Sequence, residues 1–191
     1  MTILLLAGSP SAPSRSTRLL HYAGERLALL GHRTDHLKVR DLPATALLQA
    51  DFGNAGLAAA QALVADADAL VIATPVYKAA YSGVLKAFLD LLPQDGLKGK
   101  LVLPLATGGS QSHMLALDYA LRPALSALGA RHVLPSIYAT DAQVLWTQAD
   151  GLALDAGIAR RIMEGVDMLS EALPLPLVPH AMHLSEMRCS A

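Results

Sequence analysis

The chain alternates between two patterns of apolar and polar positions. Short apolar runs bounded by turn residues predict five β-strands, at residues 2–7, 34–39, 69–74, 100–106 and 132–138. Between these runs, apolar residues recur every three or four positions, which predicts helices at residues 15–30, 55–67, 82–92, 113–128 and 152–173. Such alternation is typical of a parallel sheet with helices on both faces. The sequence therefore predicts an α/β fold with a doubly wound, five-stranded parallel sheet.

The predicted elements fill residues 1–173 without a linker, a repeat or a low-complexity segment, so we expect a single domain there. With 53% hydrophobic residues in a chain of 191, one substantial core is expected. The sequence PLPLVP follows the last helix and predicts an extended C-terminal tail over residues 174–191.

Composition and charge argue against several kinds of partner. A formal net charge of −1 and the lack of a lysine-arginine run argue against nucleic acid. The first apolar run is far shorter than the roughly 20 residues of a membrane-spanning helix, so no membrane association is expected. The single cysteine, Cys189, permits no internal disulfide and lies far from other potential metal ligands. We therefore expect a cytoplasmic protein without a metal site.

Three loops follow the first, third and fourth predicted strands, with the sequences GSPSAPSRST, TPVYKAAYSG and ATGGSQSH. In a doubly wound sheet, ligands bind beyond the carboxyl ends of the strands. The flavodoxin-like strand order 2-1-3-4-5 and part of a dinucleotide-binding order are both compatible with five strands. The chemistry of the loops must distinguish them.

The first loop is rich in hydroxyl groups at the predicted start of a helix. Its side-chain donors are Ser9, Ser11, Ser14, Arg15, Ser16 and Thr17. Together with the backbone N–H groups of a helix start, they suit a single phosphate monoester. The motifs G-x-G-x-x-G and G-x-x-x-x-G-K-[ST] are absent. Turn and capping roles are the alternative, although a helix cap needs only one such residue.

The other two loops offer a surface for a flat ring. The expected contacts are Pro75, Val76, Tyr77, Lys78, Tyr81, Ser82 and Gly83 in the second loop and Thr107, Gly108, Gly109 and Ser110 in the third. The two glycines allow a ligand to approach the backbone closely. The alternative interpretation places the tyrosines at a subunit contact and Lys78 in solvent.

No catalytic set of side chains is visible in these loops. They contain no G-x-S-x-G nucleophile motif, no pair of carboxylates and no H-E-x-x-H, and His113 alone is weak evidence for acid–base chemistry. A phosphate site beside an aromatic surface then indicates that a cofactor carries the chemistry. FMN, with one phosphate and a flat ring, has the required shape.

Four segments carry a family resemblance: GSPSAPSRS, TPVYKAAYSGVLKAFLDLLP, LPLATGG and DYALRPALSALGA. They resemble the NADPH-dependent FMN reductases of the flavodoxin-like superfamily, and most closely the branch that serves two-component alkanesulfonate monooxygenases. The resemblance implies the strand order 2-1-3-4-5, FMN at the three loops, and hydride transfer from NADPH to the flavin. It also implies that reduced FMN leaves for a flavin-dependent monooxygenase, a step in sulfur assimilation.

The resemblance also assigns particular positions. It matches Ser9, Ser14 and Ser16 to the phosphate loop, and Pro75–Tyr77 to the loop that holds the isoalloxazine ring, while the glycine pair matches the third loop. The wider family usually has arginine at the position of Ser11, so Arg15 is expected to supply the charge for the phosphate. It often reads P-E-Y-N where this chain reads PVYK, a difference shared by the sulfonate-linked branch.

The helix predicted at residues 113–128 contains a misfit. Pro123 cannot donate a hydrogen bond to the carbonyl of Tyr119, so the helix must bend there. A π-bulge and a plain proline kink are the two ways to absorb it. The resemblance implies that Tyr119 lies in a π-helix at a subunit interface. Because this helix has more apolar surface than one face needs, we expect a homodimer or a tetramer.

Two other functions remain open at the level of the sequence. A quinone or azo-dye reductase would share the fold and hold FMN tightly. A non-enzymatic flavodoxin would carry electrons between partners, but such carriers are typically strongly acidic and this chain is nearly neutral. NADPH as the reductant is inferred from the resemblance only, since no ribose-binding residue is identifiable without the G-x-G-x-x-G motif.

Overall fold

A central, mainly parallel sheet dominates the computed structural model, which describes residues 1–147 and 151–173. The strands are β1 (Thr2–Ala7), β2 (Arg33–Lys38), β3 (Ala69–Tyr77), β4 (Ala80–Tyr81), β5 (Leu101–Gly108), β6 (His132–Val133), β7 (Ile137–Thr140), β8 (Val144–Thr147) and β9 (Gly151–Leu154). The parallel strands lie in the order β2-β1-β3-β5, and β6 and β7 both pair with the outer edge of β5. Because β6 and β7 together take the place of the fifth strand, the predicted flavodoxin-like order 2-1-3-4-5 is confirmed.

The fifth strand is one predicted element that the structure divides. Pro135 lies between β6 and β7, and a proline has no N–H to donate to the ladder. The pairing with β5 continues up to the break, where the N–H of Leu134 donates to the carbonyl of Val102 at 2.8 Å. The prediction of one strand over residues 132–138 was therefore wrong in its continuity and right in its place.

Helices cover both faces of the sheet. They are α1 (Arg15–Leu29), α2 (Ala44–Leu48), α3 (Ala55–Asp66), α4 (Gly83–Leu89), α5 (Arg122–Ala127) and α6 (Ala156–Ala172). Along β1, Ile3 and Leu5 pack with α1 and α6, while Leu4 and Leu6 pack with the helices of the opposite face. Successive side chains of a strand point to opposite faces, so β1, β3 and β5 are buried on two sides as predicted, whereas the edge strand β2 is mostly half-buried or exposed.

Several short elements, among them α2 and the hairpin of β8 and β9, were not predicted. The helix α2 has only five residues, too few to show a helical period. The last helix begins at Ala156 rather than at residue 152, because Gly151–Leu154 pairs antiparallel with β8 as a separate hairpin. The carboxylate of Asp155 then caps α6 by accepting the N–H groups of Gly157 and Ile158 at 3.0 and 3.1 Å.

The misfit around Pro123 is absorbed by a π-helix at Leu117–Leu121. The N–H of Arg122 donates to the carbonyl of Leu117, five residues earlier, which is the hydrogen bond of a π-turn. Pro123 occupies the first turn of α5, where the lost N–H would otherwise lack a partner within that helix. The helical prediction at residues 113–128 thus becomes a π-helix followed by a short α-helix, rather than a plain proline kink.

The expected C-terminal tail, residues 174–191, lies outside the described residues and stays a prediction together with the domain limit at residue 173. Within the described part of the chain, no helix combines the length and the apolar character needed to cross a membrane.

Candidate functional site

The three predicted loops meet at the carboxyl edge of the sheet. Around a cavity of about 260 Å³ the structure brings together Ser9, Ser11, Pro13, Ser14, Arg15, Pro75, Val76, Tyr77, Thr107, Gly108, Gly109 and Asp141. The loops converge because β1, β3 and β5 are adjacent and parallel, so their carboxyl ends share one edge. Most of the residues predicted to bind a cofactor therefore line one cavity.

The first loop presents some of its hydroxyl groups to the cavity and uses others to hold its own shape. Ser14 caps α1 by accepting the N–H of Thr17 at 3.3 Å, and its oxygen lies 3.0 Å from the hydroxyl of Ser16. Ser16 is buried behind the loop, and neither Ser16 nor Thr17 lines the cavity. Ser9 accepts the N–H of Ser11 at 3.2 Å. For Ser16 and Thr17 the structure thus shows a supporting role, because both belong to the first turn of α1.

Two arginines surround the first loop, and they differ in what they contact. Arg15 lines the cavity as expected, but its guanidinium lies 3.6 Å from the carboxylate of Asp141. Arg40 donates to the backbone carbonyl of Ser11 at 2.6 Å and so anchors the loop from β2's side of the sheet. A phosphate in this cavity would therefore meet a cation that a carboxylate already neutralises in part.

The sequence patterns did not indicate a role for Asp141 or Arg40. Asp141 follows β7 directly, so it belongs to a fourth loop at the same edge of the sheet. The predicted strand order could have indicated Asp141, because the carboxyl end of the fifth strand lies at this edge of the sheet too. The contact of Arg40 with Ser11 joins residues 29 positions apart and has no sequence signal.

The second loop is shaped by a tight turn. Pro75, Val76 and Tyr77 line the cavity, and Tyr77 pairs with Ala80 across a two-residue turn. Both turn residues, Lys78 and Ala79, have positive φ angles of 50° and 62°. Lys78 is exposed at the turn and does not line the cavity.

The remaining predicted residues of the second loop support it from behind. Tyr81 pairs with Val76 in the short ladder, and partial burial raises the pKa of its hydroxyl. Ser82 is buried, donates to the carbonyl of Gly8 and accepts the N–H of Leu85. The structure places neither of them, nor Gly83, in the cavity wall. The hydroxyl of Ser82 is instead committed to capping α4 and to joining the first two loops.

The third loop depends on two different glycines. A Cβ at Gly108 would overlap the hydroxyl oxygen of Tyr138, so only glycine fits there. That hydroxyl donates to the carbonyl of Ser110 at 2.6 Å and holds the loop, while burial raises the pKa of Tyr138. A Cβ at Gly109 would meet no atom within 4 Å, so Gly109 faces open space in the cavity.

Ser110 and His113 lie beyond this wall. The hydroxyl of Ser110 accepts the N–H of Ser112 at 3.1 Å and caps the 3₁₀-helix Gln111–His113. His113 is exposed and is not part of the cavity wall. The ionisable side chains that do line the cavity are Arg15, Tyr77 and Asp141. Among residues 1–147 and 151–173, no group of three or more potential ligands is placed to hold a metal ion.

A larger cavity, of about 510 Å³, lies at the opposite edge of the sheet. Lys100 lines this cavity, but its ammonium group already donates to the carbonyls of Ala65 and Ala67 at 2.7 and 2.6 Å. Burial lowers the pKa of Lys100. Because the cavity is remote from the carboxyl ends of the strands, the smaller cavity is the better ligand site.

Comparison with known proteins identifies a family of similar sequences. The family model described as NADPH-dependent FMN reductase matches residues 1–144. An FMN reductase (NADPH) of Escherichia coli strain K12 is 50% identical over 145 residues, which are 76% of this chain and 76% of that protein. An FMN reductase (NADPH) of Pseudomonas putida KT2440 is 44% identical over 183 residues, 94% of this chain and 93% of that protein.

A solved structure shows the same fold at similar identity. It is the apo form of an NADH:FMN oxidoreductase (EMOB), with a TM-score of 0.83 and 41% sequence identity. The alignment covers 92% of this chain and 91% of the other. The solved structure thus agrees with the flavodoxin-like strand order of the sheet.

Proposed function

The chain belongs to the NADPH-dependent FMN reductase family, and we propose that it delivers reduced FMN to a flavin-dependent monooxygenase that acts on sulfonates. The enzyme is an NAD(P)H:FMN oxidoreductase that uses FMN and NADPH. The support for a sulfonate-linked role is the sequence PVYK at Pro75–Lys78, which resembles that branch of the family. A single cysteine and the use of NADPH support a cytoplasmic location.

The observation that carries this proposal is the division of the cavity into two chemical halves. Ser9, Ser14 and Arg15 provide hydroxyls and a cation beside the start of α1, which suits a phosphate monoester. Tyr77 and the open space at Gly109 border the part that suits a flat ring. FMN when bound supplies the ring that accepts the hydride. The chain's own residues bind and orient, since no histidine or pair of carboxylates lines the cavity.

The cavity also supports release of the flavin. Asp141 stands beside the cation that a phosphate requires, and Tyr77 is 49% exposed at the rim. Both features favour a flavin that is bound as a substrate and released, rather than a prosthetic group held through many turnovers. Release is necessary if a separate oxygenase is to use the reduced FMN.

A direct test is the oxidation of NADPH by purified protein at increasing concentrations of free FMN. We expect oxidation that depends on micromolar FMN, and release of sulfite when an alkanesulfonate monooxygenase and its substrate are added. A protein that keeps FMN through dialysis and reduces quinones faster than FMN would contradict the proposal and favour the quinone reductase alternative.

Gly109→Ala tests the position of the ring. The added methyl group points into open cavity and overlaps no protein atom, so the fold should be unchanged while FMN binds more weakly. Gly53→Ala is the matched control, because its Cβ would meet only the carboxylate of Asp51, at 3.4 Å, in an exposed loop. Equal FMN affinity in both variants would place the ring elsewhere.

We further propose that the π-helix forms an interface between copies of this chain. Its Tyr119 is 79% exposed, and the neighbouring Met114 and Leu115 are half exposed. The π-helix also packs against β4, directly behind the second loop of the cavity. A second copy that covers these apolar side chains would therefore link assembly to flavin binding.

Deletion of Tyr119 tests this interface. Without the inserted residue the helix should become regular, change the sedimentation mass and slow the release of FMN. An unchanged mass together with unchanged FMN affinity and turnover would show that the π-helix has no role in assembly.

A further inference from the structure

The cavity of about 260 Å³ between the three loops is called the flavin cavity below. A second, smaller cavity adjoins it on the outer side of the first loop. Its volume is about 170 Å³, and it is lined by Pro13, Ser14, Arg15, Arg18 and Trp146. Three of these residues, from Pro13 to Arg15, also line the flavin cavity. The two cavities therefore share the phosphate loop as a common wall, and one extended molecule can reach both.

Arg18 is one of two arginines in the wall of this second cavity, beside Arg15. Its guanidinium carbon lies 3.6 Å above the centre of the Trp146 ring. Within residues 1–147 and 151–173 the structure shows no hydrogen bond or ion pair for the side chain of Arg18, in contrast to Arg15 with its carboxylate partner. Stacking on an aromatic face leaves the N–H donors in the plane of the guanidinium free. Arg18 is therefore prepared to bind an anion.

Trp146 reaches this place through the unpredicted hairpin. It lies on β8, pairs with Leu152 of β9, and is 43% exposed beside α1. An exposed indole next to two guanidinium groups suits a ligand that combines an aromatic ring with a phosphate. Inorganic anions alone would not need the ring.

The size of the flavin cavity indicates why such a ligand extends outside it. Cavities that enclose a drug-sized ligand measure roughly 300–1,000 Å³. At about 260 Å³, the flavin cavity has no additional room for the adenosine half of a dinucleotide. That half would extend along the surface, and the second cavity adjoins the flavin cavity and contains the guanidinium of Arg18.

We infer that the cavity of Arg18 and Trp146 is a subsite for an adenosine phosphate. This inference rests on the proposed function, because it assumes a nicotinamide or flavin in the neighbouring cavity. Two molecules contain the required group: NADPH carries an adenosine 2′-phosphate, and FAD carries an adenylate. In the first case the subsite discriminates NADPH from NADH, and in the second it allows FAD to replace FMN.

The first experiment measures binding without turnover. Titration calorimetry with 2′,5′-ADP, in the presence of FMN, compares the wild-type protein with Arg18→Ala and Arg18→Lys. We expect binding to the wild type and a loss of about 10- to 100-fold in Arg18→Ala, the range for removal of charge-assisted hydrogen bonds, with a smaller loss in Arg18→Lys. Arg33→Ala is the control, since that side chain is 76% exposed at the opposite end of the sheet.

The second experiment identifies the source of the adenosine phosphate. If NADPH is the source, Arg18→Ala lowers kcat/KM for NADPH by the same factor and changes that for NADH by less than about twofold. If FAD is the source, Arg18→Ala raises the Kd of FAD relative to that of FMN. The ratio of kcat/KM for NADPH to kcat/KM for NADH then stays unchanged. Trp146→Leu removes the surface for the adenine ring, which NADPH and NADH share, so it should weaken the binding of 2′,5′-ADP in the calorimetry.

The inference is overturned if 2′,5′-ADP binds the wild type and Arg18→Ala equally and neither ratio changes. It is also overturned if Arg33→Ala has the same effect, because the cause would then be net charge. Should Arg18→Ala not fold, Arg18→Lys and Trp146→Leu are judged by the same criteria. Absence of FMN-dependent NADPH oxidation in the wild type would instead refute the proposed function, while the calorimetry still decides the subsite.

Discussion

Replacement of Asp141 by asparagine should tighten the binding of FMN. In the structure the carboxylate of Asp141 lies in the cavity wall, 3.6 Å from the guanidinium of Arg15. It therefore neutralises part of the charge that Arg15 offers to a phosphate, and it repels a phosphate dianion directly. Asparagine preserves the size of the side chain and removes the charge.

The expected magnitude follows from the exposure of the two side chains. Arg15 is 51% and Asp141 46% exposed, so water screens their attraction and the pair contributes roughly 0.2–1 kcal/mol. Repulsion between the carboxylate and a phosphate in the same cavity adds about 1 kcal/mol through water at about 4 Å. Together they correspond to about 1–2 kcal/mol, a Kd lower by a factor of about 5–30.

Quenching of flavin fluorescence on titration measures this Kd. The gain should shrink at about 0.5 M salt, because salt screens exposed charges. Asp90→Asn is the matched control: it removes a carboxylate that pairs with Lys86 at 2.6 Å on the exposed surface of α4. If Asp141→Asn leaves the Kd within twofold of wild type at low salt, or if the control tightens binding equally, the competition for Arg15 is refuted.

Three further predictions concern the loops and the pH dependence. Gly108→Ala should displace Tyr138, costing about 1–3 kcal/mol of stability and weakening FMN binding; an unchanged melting temperature and Kd would contradict the overlap. Ala79→Gly should raise the free energy of unfolding in urea by about 0.5–1 kcal/mol, since the residue has a φ of 62°, and a decrease would count against strain in the turn. Burial, and next the charge of His36, lower the pKa of His21 below its ordinary 6.5. The unfolded chain then binds the proton more readily, so the free energy of unfolding should fall as the pH drops from about 6.5, and His21→Gln should flatten that slope.

The apolar pattern determined the architecture of this protein. Runs that are apolar at nearly every position, such as the first strand and the third, specify strands buried on both faces, and strand–helix alternation makes them parallel. Parallel strands end at one edge, so the meeting of the loops that contain Ser9, Pro75 and Gly108 follows from order alone. The misfit at Pro123 was visible as well, because a proline removes a hydrogen bond wherever a helix contains it.

Only the tertiary structure decided which side chains face the cavity and which support it. Ser82 is occupied by the carbonyl of Gly8, 74 residues away, and Asp141 stands beside Arg15 because β7 ends next to α1. The hairpin of β8 and β9 places Trp146 against α1, although most of β9 belonged to the helix predicted at residues 152–173. Such contacts join residues that are distant along the chain, and the hydrogen bonds and charges that select them act only after the sheet has brought the residues together.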